Sequence, residues 1–355
     1  MGRAAGALAD VQGLDVIGLG ALNIDLIVTK PDVDDDDVED GETPTTLREI
    51  LDRLRAENLA PAAFLGGSAF NAMVMLAQLR IDLRLGMAGI SAEPPDALAA
   101  SHADRLAALH IVDLTRPSEQ RPGLCLALST WYGRRLHTAP EANLEIADHL
   151  GRDEQLRGAA ARARVLHLTS LLEDPGVPGS TRVAQAVATF VETAKEDNPG
   201  LLLSFDPGKT WVDGLERLPD LRRIYALADV LYVNPQEMAV LSEGQGTRPR
   251  SLRGLCASYA LVIVKPMHEI VVQHADGFLL ARVPRSDDAV AVDPTGAGDA
   301  VAAGVLAALG QGRSVIDGCK LGLRIAALRV SEVGDRGHDN LAGVLGDVWE
   351  SSVSG

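Results

Sequence analysis

Cysteine is scarce in this 355-residue chain. Cys125, Cys256 and Cys319 are odd in number, far apart and in no CxxC or Cys/His spacing, which excludes a disulfide framework and a structural zinc site. A reducing, cytoplasmic setting is expected. Long apolar runs are also missing: nothing approaches the 18 or so residues of a membrane span, and the opening MGRAAGALADVQGLD has no charged start leading into an apolar stretch. Neither a membrane span nor an export signal is expected. There is no basic block either. The 49 acidic against 33 basic side chains leave a net charge of −16, and only Lys30, Lys195, Lys209, Lys265 and Lys320 are lysines. Such a field repels phosphate backbones and anionic lipid, so neither nucleic acid nor a membrane surface is an expected partner. No 20 to 50 residue repeat and no Pro/Ser-rich linker divides the chain, which reads as one domain over residues 1–355.

What is present is enough for a large core. Hydrophobic residues make up 46% and charged residues 23%, an ordinary balance for a folded chain. Short apolar runs bounded by Gly, Pro or Asp (DVIGLGAL, LRLGMAGI, VLHLTSLL, LLLSFDP, VLYVNP, LVIVKP and FLLARVP) predict strands, and most are apolar throughout rather than alternating. Strands buried on both faces belong in a parallel sheet, and SAFNAMVMLAQL, TRVAQAVATFVETAKE and AVAAGVLAAL have the length and periodicity of crossover helices. The predicted fold is a doubly wound, mostly parallel α/β sheet with helices on both faces.

Two stretches break this rhythm. GLCLALSTWYGRRLHTA, residues 123–139, predicts two strands around a Tyr132–Gly133 turn, and with NIDLIVT it predicts a small β lid from segments near 23–30 and 121–139. The second, PDVDDDDVEDGETP, holds eight acidic residues between Asp32 and Glu42 and leads into the amphipathic LREILDRLRAENL. The spacing of a calcium loop is absent, so an acidic insert over about 31–60 is expected, its acidic part solvated and mobile.

The strongest chemical signal is AVDPTGAGDAVAAGVLAALG, residues 291–310. Gly296 and Gly298 let the backbone turn so that successive N–H groups converge, and a helix beginning near Asp299 adds its positive end, which predicts an anion hole. A carboxylate placed there repels a phosphate unless it has a task such as taking a proton from an attacking hydroxyl; from the motif alone, Asp299 is equally well a helix N-cap.

The D-P-T-G-A-G-D run at 293–299 resembles the C-terminal signature of the ribokinase or PfkB family of sugar and nucleoside kinases, and FLGGSAFNAMVMLAQL at 64–79 is similar to its N-terminal Gly-Gly signature. GLGALNIDLIV at 18–28 and NPQE at 234–237 resemble two further family segments, so the likeness runs over nearly the whole chain. It implies a kinase moving the γ-phosphate of ATP to a hydroxyl of a small sugar, sugar phosphate or nucleoside. Asp299 is then the base and Gly296, Ala297 and Gly298 the anion hole. Asn23, Asp25, Gly66, Gly67 and Asn71 hold the acceptor, while Asn234, Lys209 and Thr295 serve the nucleotide. Mg²⁺ is organised through water by Glu237, and a monovalent cation and a homodimer formed through the lid belong to the same picture.

On their own these residues have plainer readings. Asn23 and Asp25 suit a turn, the glycine pair a helix start, and Glu237 a helix first turn. The segment FDPGKTW has Gly208 where the family usually has Asn, and KPMHE at 265–269 replaces a Gly-bearing strand end near the nucleotide. Arg134 and Arg135 fit a phosphosugar clamp or a solvated face, and His137 and His167 read as structural. A non-catalytic sugar-binding regulator is the reading from another class, disfavoured by the presence of Asp299 with both glycines and by the lack of a helix-turn-helix segment. A dinucleotide oxidoreductase is weaker, because GLGALN lacks the third glycine of GxGxxG.

Overall fold

A computed structural model of the chain describes residues 13–29, 41–94, 100–129, 134–242, 261–264, 269–274, 277–282, 295–331 and 341–345. The acidic run 31–40, the Tyr132–Gly133 turn, residues 265–268 of KPMHE and Asp293–Pro294 of the glycine signature lie outside the described residues.

The main sheet has nine strands in the order β16-β15-β14-β13-β12-β11-β1-β5-β7. Their ranges are β1 Val16–Leu19, β5 Leu85–Ala88, β7 Val112–Asp113, β11 Val165–Thr169, β12 Leu202–Asp206, β13 Val230–Val233, β14 Leu261–Val264, β15 Glu269–His274 and β16 Gly277–Arg282. From β7 to β14 every pairing is parallel. The last two strands run antiparallel, a hairpin added at the edge. Continuous apolar composition is explained by burial on both faces. Ile17, Leu19, Leu166 and Leu168 point into one core layer, while Val16, Val165, Leu85 and Met87 point into the other. Burying each such side chain stabilises the fold by about 1.5 to 3 kcal/mol.

The helices that frame the site are α1 Leu47–Ala56, α2 Ser68–Gln78, α3 His102–Ala108, α4 Arg182–Asp197, α5 Gly208–Asp213, α6 Pro235–Leu241, α7 Ala297–Gly310 and α8 Val315–Arg329. Helix α7 is almost wholly buried, as its run of Ala, Val and Leu requires, and it packs against both α2 and α8.

A second sheet of five strands, β3-β10-β9-β2-β4, stands apart from the first. It is built from β2 Asn23–Thr29, β3 Gly41–Pro44, β4 Ala62–Gly66, β9 Gly123–Ser129 and β10 Arg134–Ala139. Short strands β6 Ile90–Ala92 and β8 Arg116–Ser118 pair separately. The expected lid segments are therefore joined by two strands that the sequence did not announce.

One expectation is corrected here. The end of the acidic stretch is not a free solvated loop: residues 41–44 form edge strand β3, paired with β10. Glu42 accepts hydrogen bonds from Thr138 Oγ1 at 2.7 Å and from Thr210 Oγ1 at 3.0 Å. A carboxylate that looked like one more solvated charge thus ties the small sheet to α5 of the main body.

Candidate active site

In an open α/β sheet, ligands gather beyond the carboxyl ends of the parallel strands, above all where the strand order reverses. Here the chain leaves β1 for β5 on one side and later returns to β11 on the other, so the reversal falls at β1. Directly after β1 the chain crosses into the small sheet, and Asn23 and Asp25 stand on one face of β2, both buried. In register with Asn23 are Gly66 on β4 and Gly123 on β9. A Cβ on Gly66 would lie 2.1 Å from the Asp25 carboxyl, and one on Gly123 would lie 2.4 Å from Asn23 Oδ1. Two glycines therefore leave room on both sides for a pair of polar side chains.

Gly67 follows β4 and is the N-cap of α2. Its φ of +112° is one that L side chains rarely adopt, and a Cβ there would meet the Ala21 carbonyl at 2.0 Å. No side chain caps α2, nor α7, whose N-cap is Gly296 at φ +82° in the left-handed region. This decides one open alternative: the cap of α7 is Gly296, and Asp299 lies in the first turn, three residues in. The helix begins at Ala297, slightly earlier than expected. Uncapped first-turn amides at Ala297 and Gly298, together with the helix dipole, make this end attractive to anions. Behind it stands the mostly buried Arg329 at the end of α8, whose Nε would be 3.3 Å from a Cβ on Gly296. Thr295, also buried, precedes the turn.

The starts of α2 and α7 meet. Asn71 Nδ2 donates to Asp299 Oδ2 at 3.0 Å, bringing the two glycine signatures to one point. Asn71, expected from the resemblance to serve the acceptor, directs one of its two N–H donors to Asp299.

The remaining expected residues lie at neighbouring strand ends. Asn234 follows β13 and caps α6 in a reciprocal box: Glu237 N–H donates to Asn234 Oδ1, and Asn234 N–H donates to Glu237 Oε2, both at 2.7 Å. Glu237 is thus a first-turn helix residue, as its plainer reading had it, with Oε2 held by the Asn234 amide. Lys209 follows β12 on α5, and its Nζ lies 3.0 Å from Asp213 Oδ2 within the same helix. His167 is a buried structural residue, with Nδ1 3.1 Å from Ser204 Oγ. His137 Nε2 sits against an Arg53 guanidinium nitrogen at 2.5 Å, where burial and Arg53 lower its pKa and favour the neutral ring.

Three residues near the site carry no local signal in the sequence. Asn143 bonds the Leu22 peptide and the Asn23 side chain. His102 donates from Nε2 to the Gly66 carbonyl at 3.2 Å and packs edge-on against Phe70 at 4.7 Å. Arg329 is separated from the Gly296 turn by more than thirty residues, so only packing of α7 on α8 shows their proximity.

The pfkB family carbohydrate kinase model matches residues 52–340, most of the chain. The chain belongs to that family. Among solved structures, a probable sugar kinase from Rhizobium etli is similar at 20% identity, over 96% of this chain and 99% of that one, with a TM-score of 0.77. An adenosine kinase from Sinorhizobium meliloti is similar at 21% identity, over 96% and 99%, with a TM-score of 0.75. A Burkholderia thailandensis nucleoside kinase in complex with inosine is similar at 19% identity, over 96% and 98%, with a TM-score of 0.67. Identities this low speak for the fold. No curated protein matches the sequence. This PfkB-family chain is a kinase with the ribokinase-like fold, and no helix among its described residues is long and apolar enough to cross a membrane.

Proposed function

We propose that this kinase transfers the γ-phosphoryl group of ATP to a hydroxyl of a small sugar or of the sugar ring of a nucleoside, with Asp299 as the base. The observation that carries the proposal is the 3.0 Å hydrogen bond from Asn71 to Asp299. It sets a carboxylate in the first turn of α7, beside the backbone amides that open the helix. A fixed carboxylate there suits accepting a proton from an attacking hydroxyl, while the Gly296, Ala297 and Gly298 amides suit charge on the transferring group. Asn23 and Asp25, set in the hollow left by Gly66 and Gly123, orient the acceptor, and Gly67 lets backbone approach it. Thr295 and Asn234 lie on the nucleotide side, with Lys209 bordering it.

The residues present fit a nucleotide, since the first-turn amides of α7 have no side-chain cap. Mg²⁺, when bound, would supply positive charge that offsets the phosphates. Among the described residues no three His, Cys, Asp or Glu side chains gather into a metal cage. Glu237, with Oε2 engaged by the Asn234 amide, would hold the ion through water. The small sheet acts as a lid that keeps water from the phosphoryl group. Similarity to chains named adenosine kinase and nucleoside kinase supports including nucleosides among the acceptors.

The test is ADP release by the purified protein against a panel of pentoses, hexoses, phosphosugars, cyclitols and nucleosides, with Asp299→Asn in parallel. The variant should lose about 10²- to 10⁴-fold in kcat with a much smaller change in acceptor KM. Retention of more than about a tenth of turnover, where chemistry limits the rate, removes Asp299 from the mechanism.

A further inference from the structure

Asn143 holds the residue that opens the lid sheet. The Leu22 N–H donates to Asn143 Oδ1 at 3.0 Å, while Asn143 Nδ2 donates to the Leu22 carbonyl at 3.3 Å and to Asn23 Oδ1 at 2.9 Å. A peptide N–H only donates and a carbonyl only accepts, so the Leu22 peptide dictates which end of the Asn143 amide is oxygen. That leaves a pure donor facing Asn23, which must answer with Oδ1. The Asn23 Nδ2 group is thereby turned to the other side. Asn143 and Asn23 are 3% and 9% exposed, so bulk water does not compete for these contacts. Gly123 provides the room: a Cβ there would lie 2.2 Å from Asn143 Nδ2.

We infer that Asn143 is a positioning residue that fixes Asn23 as a hydrogen-bond donor and so sets which acceptors the site takes. The inference rests on the proposed reading of Asn23 and Asp25 as acceptor-binding residues. An ionised Asp25 only accepts, and an Asn23 locked in this orientation offers only N–H to a ligand. Two residues apart on one strand face, they match a neutral vicinal diol in which one hydroxyl donates to Asp25 and its neighbour accepts from Asn23. An amino sugar with an ammonium group at the second position would set donor against donor and is rejected.

The experiment measures steady-state ADP release and calorimetric binding for D-ribose, D-fructose, adenosine and inosine. Asn143→Ala and Asn143→Ser are each made in the wild-type chain and in an Asn23→Ala background. Serine keeps a polar group near the Leu22 peptide but falls short of Asn23, and so remains informative if alanine fails to fold. For the best acceptor of the four, replacing Asn143 in the wild-type chain should raise KM about three- to tenfold with kcat within about twofold. In the Asn23→Ala background the same change should cost less than about twofold, because the two residues act as one unit. An equal loss in both backgrounds makes Asn143 merely structural and overturns the inference, as does no loss in either. Asn23→Ala without effect on any of the four acceptors, in turnover or in binding, instead overturns the acceptor role of β2, and with it the inference; that outcome is read without any Asn143 variant.

Discussion

Asn71 Nδ2 and Asp299 Oδ2 are 3.0 Å apart across 228 residues of chain, a bond that joins the first turns of two buried helices. Each helix follows a glycine held at positive φ, so the approach of two side chains depends on backbone that few other residues could adopt. The neutral Asn71 donor orients Oδ2 of the Asp299 carboxylate.

Replacing that donor by a second carboxylate inverts the situation. In Asn71→Asp, two carboxyl groups would share a site about 3 Å across, and one of them must hold a proton near neutrality. The acid limb of the pH profile for kcat/KM should move upward by one or more units, with activity at pH 7 reduced about tenfold or more and partly regained at higher pH. Asn71→Ala should lower kcat without moving that limb. Superimposable profiles for wild type and Asn71→Asp would separate Asn71 from the mechanism.

The parts legible from sequence were those whose chemistry is local. A continuous apolar run such as VLHLT announces a strand buried on both faces, and a glycine turn announces the helix start that follows it, because each depends on neighbours within a few residues. Three elements escaped for the opposite reason. Strand β15 belongs to an edge hairpin whose pairing depends on β14. Glu42 looked like one more charge in an acidic run until Thr138 and Thr210 met it across 96 and 168 residues. Asn143 acquires its role from Leu22 and Asn23, more than a hundred residues earlier. The bond from Asn71 to Asp299 could not be read from sequence either, since the position of α7 against α2 is a tertiary fact.

Asp25 should act on the acceptor and leave the nucleotide alone. Its carboxylate lies over Gly66 in the small sheet, whereas the Gly296 turn, the proposed phosphate site, begins about 270 residues later in the chain. Removing a charge-assisted contact costs about 1.5 to 3 kcal/mol, so Asp25→Ala should lose roughly one to two powers of ten in acceptor kcat/KM. ATP affinity measured without acceptor should stay within about twofold of wild type, and Asp25→Asn should fall between the two. Calorimetry showing nucleotide binding weakened as much as acceptor turnover would refute this division of the cleft.

Glu42 links β3 and β10 of the small sheet to α5 through two threonine hydroxyls, and is expected to favour the closed lid. Glu42→Ala should lower acceptor kcat/KM about three- to tenfold and raise ATP hydrolysis without acceptor, because a looser lid admits water. Thr210→Val, which removes only the link to the body, should show the same direction of change. Normal acceptor kinetics and unchanged background hydrolysis in both variants would mean that the tether does not govern closure.

Stability should fall on mild acidification because of His102. Its ring is buried behind the Asn23–Gly66 strand pair, and burial pushes its pKa down to about 4, against hydrogen bonding to the Gly66 and Asn23 backbone that pulls the other way. Unfolded, the same imidazole titrates near 6.5. Between those values the unfolded chain binds a proton that the folded chain refuses, so stability is fully present above about pH 6.5 and is lost as the pH falls toward 4. The full difference corresponds to about 3 kcal/mol. Carboxylates also titrate in this range, so the measurement is the difference between wild type and His102→Gln in urea unfolding from pH 7.5 to 4.5. The variant loses the donor geometry to Gly66 and should be less stable at pH 7.5, but its curve should be flatter, with the gap closing by about 2 to 3 kcal/mol at the acid end. A constant gap across the series would show that His102 does not carry the acid sensitivity.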